Sequence, residues 1–228
     1  MREPRQLHMP LDLPASLSRE SFVAAPCNAT ALAMIDQPDW PDGKLVLTGP
    51  EGAGKTHMLH IWAERAGAAL TDGASLAQAD PEALASQDRV AIDNAEAVAS
   101  SATAQQSLFH LHNLLAARQG RLLLAARAPV RDWGLALPDL ASRLQAATHV
   151  TLAPPDDTLL AAVLTKLFAD RQIRVSDALI PFLLARMERS LAYAQTLVAQ
   201  LDAEALARKK PVSRALAADV MKMSINSQ

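Results

Sequence analysis

The chain has 228 residues, 50% hydrophobic and 20% charged, a balance that fits a globular protein with a true core and excludes disorder over most of its length. Its net charge of −2 lacks the basic excess of a general nucleic-acid binder, and its one cysteine, Cys27, excludes an internal disulfide and makes a reducing cytoplasm the expected location. No apolar run reaches the roughly 18 residues of a membrane helix, and MREPRQLHMPLDLP at the start sets charges and prolines where a secretory signal needs unbroken apolar sequence.

Residues 1–20 are rich in proline and polar side chains and have no sustained period, which predicts an extended tail. Residues 28–36 read as a short helix capped by Asn28. The run KLVLT (44–48) is short, apolar and followed by glycines, the pattern of a buried parallel strand. Comparable runs follow at 68–70, 89–93 (RVAID), 121–125 (RLLLA) and 148–152 (THVTL). Helical segments lie between them, at 55–66 and at 103–118, where Leu108, Leu111, Leu114 and Leu115 share a face. Alternating strands and helices imply right-handed crossovers and a parallel sheet covered on both sides.

Pro154-Pro155 ends that pattern. Beyond it every segment reads as helix. Asp156 or Asp157 caps a stripe of Leu159, Leu160, Val163, Leu164, Leu167 and Phe168. A second helix starts at Ser176 or Asp177, with Pro181 in its first turns. A third spans 190–208, and a fourth follows Pro211 with Ser213 as cap. The fold class is therefore α/β: a five-stranded parallel sheet flanked by helices over residues 21–153, then a four-helix lid over 154–228.

Gly49-Pro50-Glu51-Gly52-Ala53-Gly54-Lys55-Thr56 fits G-x-x-x-x-G-K-[ST], with a strand before it and a helix after it. Glycines let successive N–H groups converge on one point, and the helix adds its positive end. In this pattern Lys55 reaches the β- and γ-phosphates and the Thr56 hydroxyl holds Mg²⁺. Asp93, ending RVAID, is placed to be the second Mg²⁺-organising group. The residue after it is Asn94, which cannot take a proton from water. Glu96, two residues further on, has an unusual spacing for that task. Nucleotide binding with slow hydrolysis is the expectation.

These residues carry a resemblance. Residues 49–60 resemble the loop and helix of the bacterial initiator DnaA, an AAA+ ATPase. Residues 22–28 resemble its adenine-side segment, Leu108-Phe109-His110 and Asn113 the helix after its second nucleotide motif, and residues 137–144 the motif bearing its arginine finger. Arg189-Ser190-Leu191 matches its sensor-II position. The resemblance covers residues 20–225 and takes in neither the initiator's helix-turn-helix domain nor its long N-terminal region. What remains is similar to the Hda-like, DnaA-homologous regulators of replication initiation. Asp93-Asn94 supports that choice, as does Gln6-Leu7-His8-Met9-Pro10-Leu11, which resembles the Q-L-x-L-P-L peptide that binds the DNA sliding clamp. Such a peptide seats Leu7, Met9 and Leu11 in an apolar groove while Gln6 hydrogen-bonds at the rim.

The resemblance implies a P-loop AAA+ module. ADP or ATP with Mg²⁺ would be held by residues 49–56, His57, Asp93, Val23, Asn28 and Arg189, and Arg143 would act in trans as a finger on DnaA-bound ATP. It implies DnaA and the clamp as partners, with DNA reached only through them, no membrane, and self-association left open. The region Leu124-Ala125-Ala126-Arg127 departs from the family, lacking the polar side chain expected near the γ-phosphate. A P-loop kinase and a helicase-loader-like adaptor that binds single strands remain as alternatives. A zinc site among His57, His60, His110 and His112 lacks a completing ligand set, Cys27 reads as a packed residue, and Arg208, Lys209 and Lys210 as the basic end of a helix.

Overall fold

The computed structural model describes residues 17–225. Five strands, β1 (Lys44–Thr48), β2 (Ala69–Asp72), β3 (Arg89–Asp93), β4 (Arg121–Ala126) and β5 (Thr148–Thr151), form one sheet in the order β2-β3-β4-β1-β5, and every pairing is parallel. Side chains alternate between two cores, as strand geometry requires. Val46, Val90, Ile92, Leu122, Leu124 and Ala126 face one core. Leu45, Leu47, Ala91, Leu123 and Ala125 face the other.

Helices α1 (Pro26–Asp36) and α2 (Lys55–Ala66) cover the second face, and α3 (Pro81–Ala85), α4 (Ala102–Ala117) and α5 (Pro138–Ala146) the first. Trp62 of α2 is buried and packs on Trp40, ring centroids 5.2 Å apart. The lid comprises α6 (Asp157–Asp170), α7 (Leu179–Leu184), α8 (Leu191–Arg208) and α9 (Arg214–Ile225), with its own core of Leu160, Leu164, Phe168, Leu183, Leu197, Val198 and Leu201 among others. Truncating any of these leucines to alanine would cost about 2–5 kcal/mol.

Several boundaries differ from the sequence expectation. The first helix begins at Pro26, not Asn28. Proline's fixed φ suits the first helical position, and Asn28, two residues further in, accepts the Ala25 N–H at 2.9 Å. Asn28 thus serves the helix start from inside the helix. Residues 19–21 are not extended tail but a 3-10 turn. The second lid helix does not start at Ser176 or Asp177. It is the six-residue α7, beginning at Leu179, so that Pro181 is its third residue, where a missing N–H costs no intrahelical bond. Asp156 and Ser213 cap as expected, accepting the N–H of Leu159 and Leu216. Arg208 joins α8 to α9 through Asp219 at 3.0 Å and also pairs with Glu204 of its own helix.

Candidate functional site

The loop leaves the C-terminal end of β1 and enters α2. Gly54 caps α2 at φ 99°, and Gly52 has φ 70°, angles that a β-carbon penalises. Gly52 also has a second constraint: a β-carbon there would lie 2.0 Å from the Ser190 Oγ. The lid comes this close because the Leu191 N–H donates to the Gly52 carbonyl at 2.9 Å, while Ser190, buried, caps α8 by accepting the Tyr193 N–H.

Lys55 Nζ donates to the Gly49 and Pro50 carbonyls, each at 2.8 Å. Burial pushes its pKa below the usual lysine value, against the opposing pull of Glu96 and Asp93. Thr56 Oγ1 donates to Asp93 Oδ2 at 2.7 Å, bringing together two oxygen donors of the kind a hard cation such as Mg²⁺ takes. Asp93 Oδ1 accepts the Asn94 N–H at 2.9 Å. Asn94 has φ 47°, and its amide donates to Asp72 Oδ2 at 2.8 Å. Arg127, at the end of β4, reaches Glu51 of the loop at 3.2 Å, and its backbone N–H donates to Glu96 Oε1 at 3.1 Å.

Other expected site residues lie further out. Asn28 is buried and its amide donates to the Val23 carbonyl at 3.0 Å, so the two form one folded unit before α1. His57 does not turn toward the loop. Its Nε2 bonds the Ser18 carbonyl at 2.9 Å and its ring meets Phe22 edge-on. Arg189 enters α8 beside Ser190, but its guanidinium pairs with Asp157 at 2.9 Å, both side chains exposed. Arg143 sits on α5 over the Phe109 ring, 5.5 Å from its centroid. Its charge bears on Lys44 and His112. α5 ends at Ala146 and β5 begins at Thr148 beside Leu45 of β1, so Arg143, in the last turn of α5, lies toward the end of β1 opposite the loop. Gln6, Leu7, Met9 and Leu11 lie outside the described residues.

The Ser190–Gly52 approach, the Glu51–Arg127–Glu96 linkage and the Asn94–Asp72 bond join residues far apart in the chain and leave no local pattern. Only Gly52 carried a signal, and a turn explained it already. Ala125 and Ala126 are plain because each points into a core, on opposite faces of β4.

No protein-family model matches the chain. Among solved structures, domain III of the Thermotoga maritima replication initiation protein DnaA superposes with a TM-score of 0.76 at 18% identity, covering 94% of this chain and 98% of that one. The chain has a DnaA-like AAA+ fold. AMPPCP-bound DnaA from Aquifex aeolicus matches with a TM-score of 0.68 at 18% identity, over 83% of this chain and 67% of that one. The Thermotoga maritima RuvB Holliday junction branch migration motor shares the AAA+ fold, with a TM-score of 0.70 at 16% identity, over 92% of this chain and 72% of that one. Among the described residues no helix is long and apolar enough to cross a membrane.

Proposed function

We propose that the chain is a nucleotide-binding AAA+ regulator of the Hda type. With the DNA-loaded sliding clamp it promotes hydrolysis of DnaA-bound ATP and restrains replication initiation. The observation that carries this reading is the separation of the glycine loop from Arg143 along β1. The loop, Thr56 and Asp93 stand at one end, and Arg143, in the last turn of α5 just before β5 pairs with Leu45, at the other. Arg143 is remote from the chain's own loop, so its use as a phosphate-stabilising cation requires a neighbouring molecule.

In this reading ADP or ATP lies along residues 49–56, with Val23 and Asn28 on the adenine side. Lys55 exchanges the Gly49 and Pro50 carbonyls for phosphate oxygens. Thr56 and Asp93 hold Mg²⁺, which neutralises phosphate charge when bound. Arg189 leaves Asp157 for a phosphate and so sets the lid angle through Ser190 and Leu191. The nucleotide-bound form of the Aquifex DnaA supports the nucleotide by likeness of fold. Gln6, Leu7, Met9 and Leu11 engage the clamp, and DNA is met through the clamp and DnaA. Arg143 then stabilises charge on the phosphoryl group of DnaA-bound ATP, an effect worth about 10³–10⁵-fold for arginines supplied in trans.

The test is turnover of DnaA-bound ATP in the presence of clamp and DNA. Wild type should stimulate it and Arg143→Ala should not. Equal stimulation by both removes the finger assignment, and no stimulation by wild type removes the regulatory reading.

A further inference from the structure

Water that attacks a γ-phosphate needs a group to orient it, and Asn94, directly after Asp93, is diverted. Its left-handed backbone turns the chain, and its amide is taken by Asp72. The turn has a second effect. It starts the 3-10 segment Ala95–Ser100, which carries Glu96 back toward the loop.

Three observations locate the Glu96 carboxylate. Oε1 accepts the Arg127 N–H at 3.1 Å, at the C-terminal end of β4. The Arg127 guanidinium lies 3.9 Å from the same Oε1 and 3.2 Å from Glu51 of the loop. Oε2 is shielded from solvent and has no hydrogen-bond partner among the described residues. An unpartnered buried acceptor costs about 1–3 kcal/mol, more when charged, and native folds rarely keep one without use. Arg127 holds the group in place: its backbone fixes Oε1 while its guanidinium reaches across to Glu51 of the loop.

We propose that Glu96 is a catalytic residue for hydrolysis of ATP bound to this chain's own loop, with Oε2 accepting the hydrogen bond of the attacking water. The inference rests on the reading of the loop as a nucleoside triphosphate site. In the step, the water oxygen forms a bond to the γ-phosphorus and the bond from that phosphorus to the β,γ-bridging oxygen breaks. The bridging oxygen keeps the electron pair and leaves on ADP. The proton from water passes to the Glu96 carboxylate and from there to solvent. The chain thereby resets its own nucleotide, from inside the turn rather than from the residue after Asp93.

The experiment uses the full chain and the Glu96→Gln variant, which keeps an acceptor for the Arg127 N–H but removes the carboxylate. Each is loaded with ATP and Mg²⁺, repurified, and its bound nucleotide extracted and identified. Single-turnover hydrolysis and affinity for a fluorescent ADP are measured alongside. Wild type should retain ADP and Glu96→Gln should retain ATP, with hydrolysis slowed about 10²-fold or more and ADP affinity unchanged. Glu96→Asp, which keeps the charge but withdraws it by one methylene, should fall between them and covers the case in which the Gln variant does not fold. Equal rates in wild type and variants, or ATP retained intact by wild type, overturn the proposal while the nucleotide site stands. Failure of wild type to bind either nucleotide overturns the site itself, and the proposal with it.

Discussion

The two ends of β1 carry cations in opposite settings. At the loop end, Lys55 lies among the carboxylates of Glu96, Asp93 and Glu51, with Arg127 tied to two of them. At the other end, Lys44, Arg143 and His112 stand together, and among the groups acting on Lys44 and His112 only Asp42 is acidic. At the loop end cations and carboxylates offset one another. The far end holds the buried Lys44, bonded to the Asp42 carbonyl, and the exposed Arg143, while burial keeps His112 neutral near pH 7. One strand thus separates the glycine loop from Arg143, the two positions to which the proposed function gives different phosphates.

The sharpest way to break this comparison is to exchange the losses. Arg143→Ala should reduce stimulation of DnaA-bound ATP hydrolysis by about 10³-fold or more while leaving the chain's own nucleotide affinity intact. Lys55→Ala should cost about 2–5 kcal/mol of that affinity, read by titration with fluorescent ADP. If both variants lose both properties, the two ends are one site.

The far end makes a second, smaller prediction. His112 is buried, and burial together with the Lys44 charge lowers its pKa from 6.5 to about 4; Arg143 adds to the lowering, while Asn113 and Asp42 oppose it. The unfolded chain therefore binds a proton that the folded chain refuses between those values. Stability is complete above pH 6.5, falls as the pH drops, and is reduced by roughly 3 kcal/mol near pH 4. Urea unfolding at pH 7 and pH 4 should show this loss in wild type and a correspondingly smaller one in His112→Gln.

The loop end yields the smallest effects. Gly52→Ala combines a left-handed backbone with an overlap on Ser190 and should cost about 2 kcal/mol in thermal unfolding. Ser190→Ala removes the α8 cap and should cost about 1 kcal/mol. The double variant should lose less than the sum, because deleting the Ser190 hydroxyl relieves the closest contact. Strict additivity would mean that the two residues do not touch.

The strands and the glycine loop were legible because each is local. A period of two, a run of apolar residues and a fixed glycine spacing need no partner to be read. KLVLT and RVAID fall where expected, as do α2 and the caps Asp156 and Ser213. The start of α1 was misread because Asn28 has the chemistry of a cap, whereas Pro26 sets the geometry. Ala125 and Ala126 read as a missing polar group, but their apolar character answers to two cores that only the folded sheet defines. The orientations of His57 and Arg189 depend on Ser18 and Asp157, residues 39 and 32 positions away, and no spacing rule encodes such meetings. Glu96 was visible as an acid at an odd interval, and the left-handed turn at Asn94 makes that interval usable.

A single main-chain bond, from Leu191 to Gly52, gives the lid a direct sense of whatever fills the loop. A ligand that rotates the Gly52 carbonyl must stretch or release that amide, which is the first of α8. Deuterium uptake at Leu191 would then serve as a one-atom gauge of whether the loop is occupied.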